Sequence, residues 1–302
     1  MRKFFCAISM YVLVYQVAIA GTNRYRDIVF TQVKTDSVVY STQNGRPLYM
    51  DVYQPVGDTA RLRPVIILAH GGAFMNGNRR SDCIPAMCRE LAGRGFVVAS
   101  IDYRLTNLPG MGTKRHAYTA IIKAVADGRN SVRWFINDAA QGNTFGINPG
   151  KIFFGGSSAG GILAEQLAYI GSAAKCPRPL CNVAAKYLAD TGALPPHAIC
   201  GCISLAGAVL DTNLIATGGP PILHIQGDAD HVVPFGLKRA LYGLAPFKLA
   251  GLGGSRARYL SQGLDLSEYV FTNFGHTPWD HDSKTLKIVI EQIIAFTNKE
   301  MK

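Results

Sequence analysis

The chain has 302 residues, 48% of them hydrophobic and 17% charged, a balance that suits one large α/β domain or two smaller ones around a globular core. The formal charge is +11, but the basic residues fall in scattered pairs (Arg61/Arg63, Arg79/Arg80, Arg256/Arg258) without interleaved aromatics. That pattern excludes a nucleic-acid module. It reads first as solubility and second as an attraction to anionic membranes or acidic polysaccharides.

At the N-terminus, Arg2-Lys3 precede an apolar run from Phe4 to Ile19 that closes on Ala18-Ile19-Ala20, small residues where a signal peptidase reads. The expectation is a secretory leader over residues 1–20, removed after Ala20, and one folded domain over residues 21–302 that is secreted or periplasmic. The run is short for a span of about 20 apolar residues, so an uncleaved anchor is the second choice and no membrane span is expected after cleavage.

Strand-like and helix-like stretches then alternate, which predicts an α/β fold: a mostly parallel central sheet flanked by helices on both faces. Thr22 to Tyr53 predicts two antiparallel edge strands. Core strands are expected at Val65–Ala69, Phe96–Ile101, Ile152–Phe154, Ile199–Leu205, Ile222–Ile225 and Glu268–Thr272. Helices are expected at Arg115–Ile136, Ile162–Ile170 and from about Lys284 to Phe296, the last burying Ile288, Ile290, Ile293, Ile294 and Phe296. Gly171–Pro196 and Gly236–Leu266 read as insertions over the strand ends, where such sheets carry specificity.

The most informative stretch is Gly156-Ser157-Ser158-Ala159-Gly160, between an apolar strand and a helix. This G-x-S-x-G register makes Ser158 a candidate nucleophile on a tight strand-to-helix turn. Strand and helix approach so closely there that the flanking positions must be nearly free of side chain. The Ala159 N–H then faces a developing oxyanion. Upstream, the strand Pro64–Ala69 ends in His70-Gly71-Gly72, whose glycine N–H groups are candidates for further oxyanion donors, with His70 as an orienting residue. No Lys-Ser or Lys-Thr follows the glycines at 160–161, which excludes a phosphate-binding P-loop.

A serine nucleophile needs a base, and the base a carboxylate, each expected after a later strand in the order Ser, acid, His. The loop after Ile222–Gln226 holds two competing acids: Asp228, placed to cap the turn, and Asp230, deeper and just before Val232-Val233-Pro234. After the last strand, Gly275-His276 supplies the base. His281 is expected in the first turn of the final helix and His224 in the core, while His116, His197 and His231 have no supporting pattern. No pair of these has metal-ligand spacing, so neither metal nor cofactor is expected. Six cysteines outlast the leader (Cys83, Cys88, Cys176, Cys181, Cys200 and Cys202), an even count that predicts disulfides, with Cys200 and Cys202 each meeting a loop cysteine.

Together these residues resemble the α/β-hydrolase superfamily, and within it the hormone-sensitive-lipase-like and feruloyl-esterase-like carboxylesterases. The matching pieces are Leu48–Pro55, His70–Phe74, Ile101-Asp102-Tyr103-Arg104-Leu105, Asp127 with Val132-Arg133-Trp134, Gly146–Pro149, the turn at Ser158, Gly227–Pro234 and Gly275-His276. The resemblance implies the α/β-hydrolase fold, a Ser158–Asp230–His276 triad, oxyanion donors from Gly71, Gly72 and Ala159, and an acyl-enzyme route to ester hydrolysis on a small-molecule or polysaccharide-linked ester. The sequence departs from the family in carrying Ser157 where an acid is common, and His231 directly after Asp230. Two rival readings use the same residues: a serine peptidase or amidase, and a binding protein on a disabled scaffold.

Overall fold

The computed structural model describes residues 23–171, 177–189 and 191–302. The expected leader, residues 1–20, and Cys176 lie outside the described residues. The domain opens with strands β1 (Val33–Gln43) and β2 (Arg46–Pro55), an antiparallel hairpin whose turn, Asn44-Gly45, takes positive φ at both positions as a two-residue hairpin turn requires. β2 pairs antiparallel with β4 (Val97–Ile101). From there every neighbour is parallel: β3 (Arg63–Ala69), β5 (Ile147–Ser157), β6 (Gly201–Leu205), β7 (Ile222–Gly227) and β10 (Leu266–Phe271). The sheet order is β1-β2-β4-β3-β5-β6-β7-β10.

Strand alternation sorts the core into two layers. In β3, Val65, Ile67 and Ala69 face one cluster while Ile66 and Leu68 face the other, so a run apolar throughout is buried on both sides. Helices α1 (Ile84–Ala92) and α6 (Ser283–Glu300) cover one face with Met87, Leu91, Ile293 and Phe296. On the other face lie α2 (Lys114–Ala140), α3 (Ala159–Tyr169) and α4 (Leu180–Leu188), with Ile121, Val125, Leu163 and Leu180.

Three expectations need correction. Gly236–Leu266 is not one insertion. It holds a two-stranded ribbon, β8 (Leu237–Arg239) with β9 (Lys248–Ala250), and then α5 (Leu252–Ser261), the crossover helix that carries the chain from β7 to β10. In Gly171–Pro196 the described residues form α4, which packs on α2 through Leu180, Val183, Ala184 and Leu188. His281 stands before α6, whose N-cap is Asp282, accepting from the N–H groups of Lys284 and Thr285.

The cysteines also differ from expectation. Cys83, Cys88, Cys200 and Cys202 are free thiols, so neither Cys200 nor Cys202 meets a loop cysteine. Cys88 and Cys202 are sealed in opposite layers of the core, where burial pushes their thiols up and holds them unreactive. No helix among the described residues is long and apolar enough to cross a membrane.

Candidate active site

The site sits where β5 runs into α3. Ser158 lies between them at φ +56° and ψ −115°, a region closed to most side chains and held by its surroundings. Its N–H donates to the Leu205 carbonyl at the end of β6 (2.8 Å), and its own carbonyl takes the Ile162 N–H at the start of α3 (2.9 Å). A Cβ on Gly156 would come within 2.5 Å of the Ala69 carbonyl oxygen, and one on Gly160 nearer still. Backbone cannot yield as a side chain can. Gly160→Ala is therefore expected to cost about 3 kcal/mol or prevent folding, whereas Gly236→Ala, with open space around its Cβ, should stay within about 0.5 kcal/mol; thermal melts of the two variants check this.

His276 arrives on the loop after β10. Its Nε2 is 2.8 Å from Ser158 Oγ and its Nδ1 2.7 Å from Asp230 Oδ2. Asp230, 3% exposed, fills its second oxygen with the N–H groups of Val232 (2.9 Å) and Val233 (3.0 Å). The carboxylate is thus fixed by its own loop before it meets the imidazole. The competing acid does something else: Asp228 Oδ1 accepts the Asn273 N–H (2.7 Å), tying the acid loop to the base loop. Of the three groups expected to converge, all three do so.

The oxyanion side is built from the loop after β3. Gly71 packs against Ser158, 3.4 Å from its Cβ to a Cβ at position 71. Gly72, Ala73 and Phe74 all take positive φ (104°, 52° and 61°), and the Gly72 carbonyl accepts the N–H groups of Met75 and Asn76, closing the stretch into a tight turn. Ala159 opens α3, with its N–H at the helix N-terminus. The Asp82 carboxylate also lies close to the Gly71 backbone, Oδ2 standing 3.4 Å from the same Cβ position. His70 is not part of the relay. Its ring stacks on Tyr103 (centroids 4.3 Å apart), and its Nδ1–H donates to the Gly71 carbonyl (2.6 Å) while burial keeps the imidazole neutral.

Several supports bring together residues whose pairing the sequence did not show. Arg79 clamps the far end of the oxyanion loop, its Nε donating to Asp51 on β2 and its Nη1 to Asp102 after β4 (both 2.7 Å). Burial works against the Asp51 anion, but bonds from Arg80, Ser37 and Arg79 prevail and hold its carboxyl at about 2. Ser157 is buried and accepts the Trp279 indole N–H (3.3 Å). Asp127 on α2 takes the Arg104 backbone N–H and guanidinium, fixing the exit of β4 to the helix.

Beneath the turn, Glu165 of α3 is fully buried, accepting from Ser204 (2.6 Å) and Tyr259 (2.8 Å). Burial lifts its carboxyl to about 7 despite those two bonds. His224 Nδ1 stands 3.6 Å from Glu165 Oε1, but burial holds the imidazole down at about 3, so the pair is not an ion pair at neutral pH. An unfolded Glu titrates near 4.3. The folded state therefore binds the extra proton between those values, and stability is fully present below about pH 4 and lost as pH rises through 7. His224, held down at about 3 against an unfolded value near 6.5, works in the opposite sense and adds stability as pH rises through that range. With Glu165→Gln that rise stands alone, so the melting temperature is expected to climb more steeply between about pH 5 and 6.5 than in the parent, measured by calorimetry in matched buffers.

The comparisons with known proteins follow the same line. Structures of Thermogutta terrifontis esterase 2 superpose over nearly the whole domain: the propionate-bound form with a TM-score of 0.65, 20% identity, 88% of this chain and 94% of that one, and the paraoxon-phosphorylated form with 0.64, 20%, 87% and 92%. The chain has the α/β-hydrolase fold. The family model BD-FAE matches residues 50–191, from within β2 through the turn at Ser158 to just past α4. Among curated relatives, esterase LipI of Mycobacterium tuberculosis is 35% identical over 106 residues, 35% of this chain and 28% of that protein. Non-reducing polyketide synthase ascC of Acremonium egyptiacum is 29% identical over 150 residues, 49% of this chain and 7% of that protein. The chain thus spans less than a third of the length of these curated relatives.

Proposed function

We propose that this protein is a serine carboxylic-ester hydrolase exported from the cytoplasm. The reading rests above all on one observation: an unbroken hydrogen-bonded line from Ser158 through His276 to Asp230, set on a strained turn beside free backbone N–H groups. A serine hydroxyl is a weak nucleophile, and this arrangement supplies what it lacks. His276 Nε2 takes the hydroxyl proton as Ser158 Oγ attacks the ester carbonyl. Asp230, hydrogen-bonded at Nδ1, holds the imidazole in the tautomer with Nε2 free and stabilises the imidazolium that forms. The carbonyl oxygen becomes an anion facing the N–H groups of Gly72 and Ala159, with Gly71 beside them; each well-aimed donor is worth about 3 kcal/mol in the transition state. The protonated imidazole then delivers its proton to the departing alcohol, leaving an acyl group on Ser158. Water, deprotonated by His276 in turn, releases the carboxylic acid.

The structures of Thermogutta terrifontis esterase 2 with propionate and butyrate bound support short acyl groups as the first substrates to try. Export rests on Arg2-Lys3, the apolar run after them and Ala18-Ile19-Ala20. The discriminating experiment is turnover of matched short-chain ester and amide substrates. Preference for the ester by several orders of magnitude is the expected result, and equal turnover of the amide argues for a peptidase or amidase.

A further inference from the structure

A second cleft lies at the opposite end of α3 from Ser158, about 16 Å along the helix. It encloses about 330 Å³ and is walled by Leu167, Tyr169, Ile199 and Leu214, with the turn Thr217-Gly218 at its mouth. That volume is at the lower end of small-molecule sites, which run from about 300 to 1,000 Å³. Into it opens Arg129 of α2, a residue only 8% exposed.

This guanidinium is unusual in what it lacks. Elsewhere in the described chain the well-buried arginine Arg63 meets Asp58 and the carbonyl of Phe145. Arg129 has no carboxylate partner among the described residues; its one side-chain bond is to the Ile170 carbonyl, at a long 3.4 Å. None of its nitrogens is both sealed from solvent and without a partner, so the remaining donors open on the cleft. No Asp or Glu among the described residues lines the cleft, whereas the imidazole of His197 does. The N–H groups of Thr217 and Gly218 have no acceptor among the described residues. Holding a cation in such a place costs stability unless something answers it, and a protein that served only its own fold would place an acid or an apolar residue there.

We propose that this cleft binds a small organic carboxylate with an apolar body, the carboxylate on Arg129 and the body against Leu167, Tyr169 and Leu214. One guanidinium matches one carboxylate in a bidentate fork, and the apolar walls select against bare inorganic anions. The site stands apart from Ser158; only the blocking step in its test rests on the hydrolase reading, and if Ser158 does not take the organophosphonate the same titrations are run on unblocked protein, where the Arg129 and Gly218 variants alone assign the binding to this cleft.

The test uses the full-length protein, with Ser158 blocked by an organophosphonate so that carboxylates cannot report on the catalytic centre. Acetate, hexanoate, benzoate and inorganic phosphate are titrated calorimetrically at constant low ionic strength. Saturable one-to-one binding of hexanoate or benzoate is expected, with acetate and phosphate at least tenfold weaker. Arg129→Met should weaken hexanoate binding at least tenfold while the unliganded variant melts no lower than the parent. Gly218→Asp puts a carboxylate at the mouth in open space, on a left-handed backbone (φ +81°) that Asp tolerates; it should abolish binding by answering the charge from within, and it carries the test if Arg129→Met fails to fold. The proposal is overturned if phosphate binds as well as hexanoate, or if neither variant changes the titration. A lower melting temperature for Arg129→Met with binding unaffected by Gly218→Asp would also overturn it, since Arg129 would then be only a cap on the C-terminal end of α3.

Discussion

Replacing Ser158 with alanine should lower kcat for a short-chain aryl ester by about 10⁶-fold while leaving the fold intact. At 1.36 kcal/mol per decade that is roughly 8 kcal/mol of lost transition-state stabilisation. The effect is large because the serine is the group that bonds to the substrate, and because His276 and Asp230 lose their purpose with it. A residual rate of about 10³–10⁴ over water should survive, carried by the oxyanion donors and by binding. The neighbouring hydroxyl is the control. Ser157 is buried and faces Trp279, away from the imidazole, so Ser157→Ala should change stability before it changes kcat. Stopped assays of both variants, with melting temperatures alongside, check the pair.

The second large effect separates two aspartates two residues apart. Asp230→Asn should drop kcat by about 10⁴-fold, because an amide that donates to Nδ1 forces the imidazole into the tautomer whose Nε2 carries the proton and cannot receive one from Ser158. The Val232 and Val233 N–H groups can still be satisfied by the amide oxygen, so the loop should keep its shape. Asp228→Asn removes only a charge from an exposed bond to the Asn273 N–H, and its kcat should stay within a few-fold of the parent. Equal losses from the two substitutions would mean that the acid loop acts as a unit and that Asp230 has no distinct role.

The layout of the sheet was legible because parallel strands buried on both faces are apolar throughout. Val65–Ala69 and Ile222–Ile225 could hardly be anything else. The turn at Ser158 was legible for a different reason: two glycines at fixed offsets report a backbone contact that only one kind of corner makes. α1 shows Ile84, Met87, Cys88 and Leu91 on one face, a spacing that predicts a helix, and Pro85 in its first turn is no obstacle. It passed unread between stronger motifs. α5 was hidden by its composition, since Gly253 and Gly254 weaken any helical pattern; Gly253 lies close against the Phe235 ring and Gly254 against the Gly236 backbone, contacts that sequence does not carry. For Cys83, Cys88, Cys200 and Cys202, which are free thiols, the even count misled because it says nothing about distance. Cys88 and Cys202 lie on opposite faces of the sheet. The clamp of Arg79 on Asp51 and Asp102, and the acceptance of the Trp279 indole by Ser157, join residues from 23 to 122 positions apart, and nothing local marks them.

All of the proposed chemistry passes through one oxygen atom. Incubating the protein with an active-site fluorophosphonate and mapping the adduct by peptide mass spectrometry tests it most directly. One label per chain, on Ser158, with activity lost in proportion, is the predicted result. An unlabelled protein that still hydrolyses esters, or a label confined to another residue, would contradict the account.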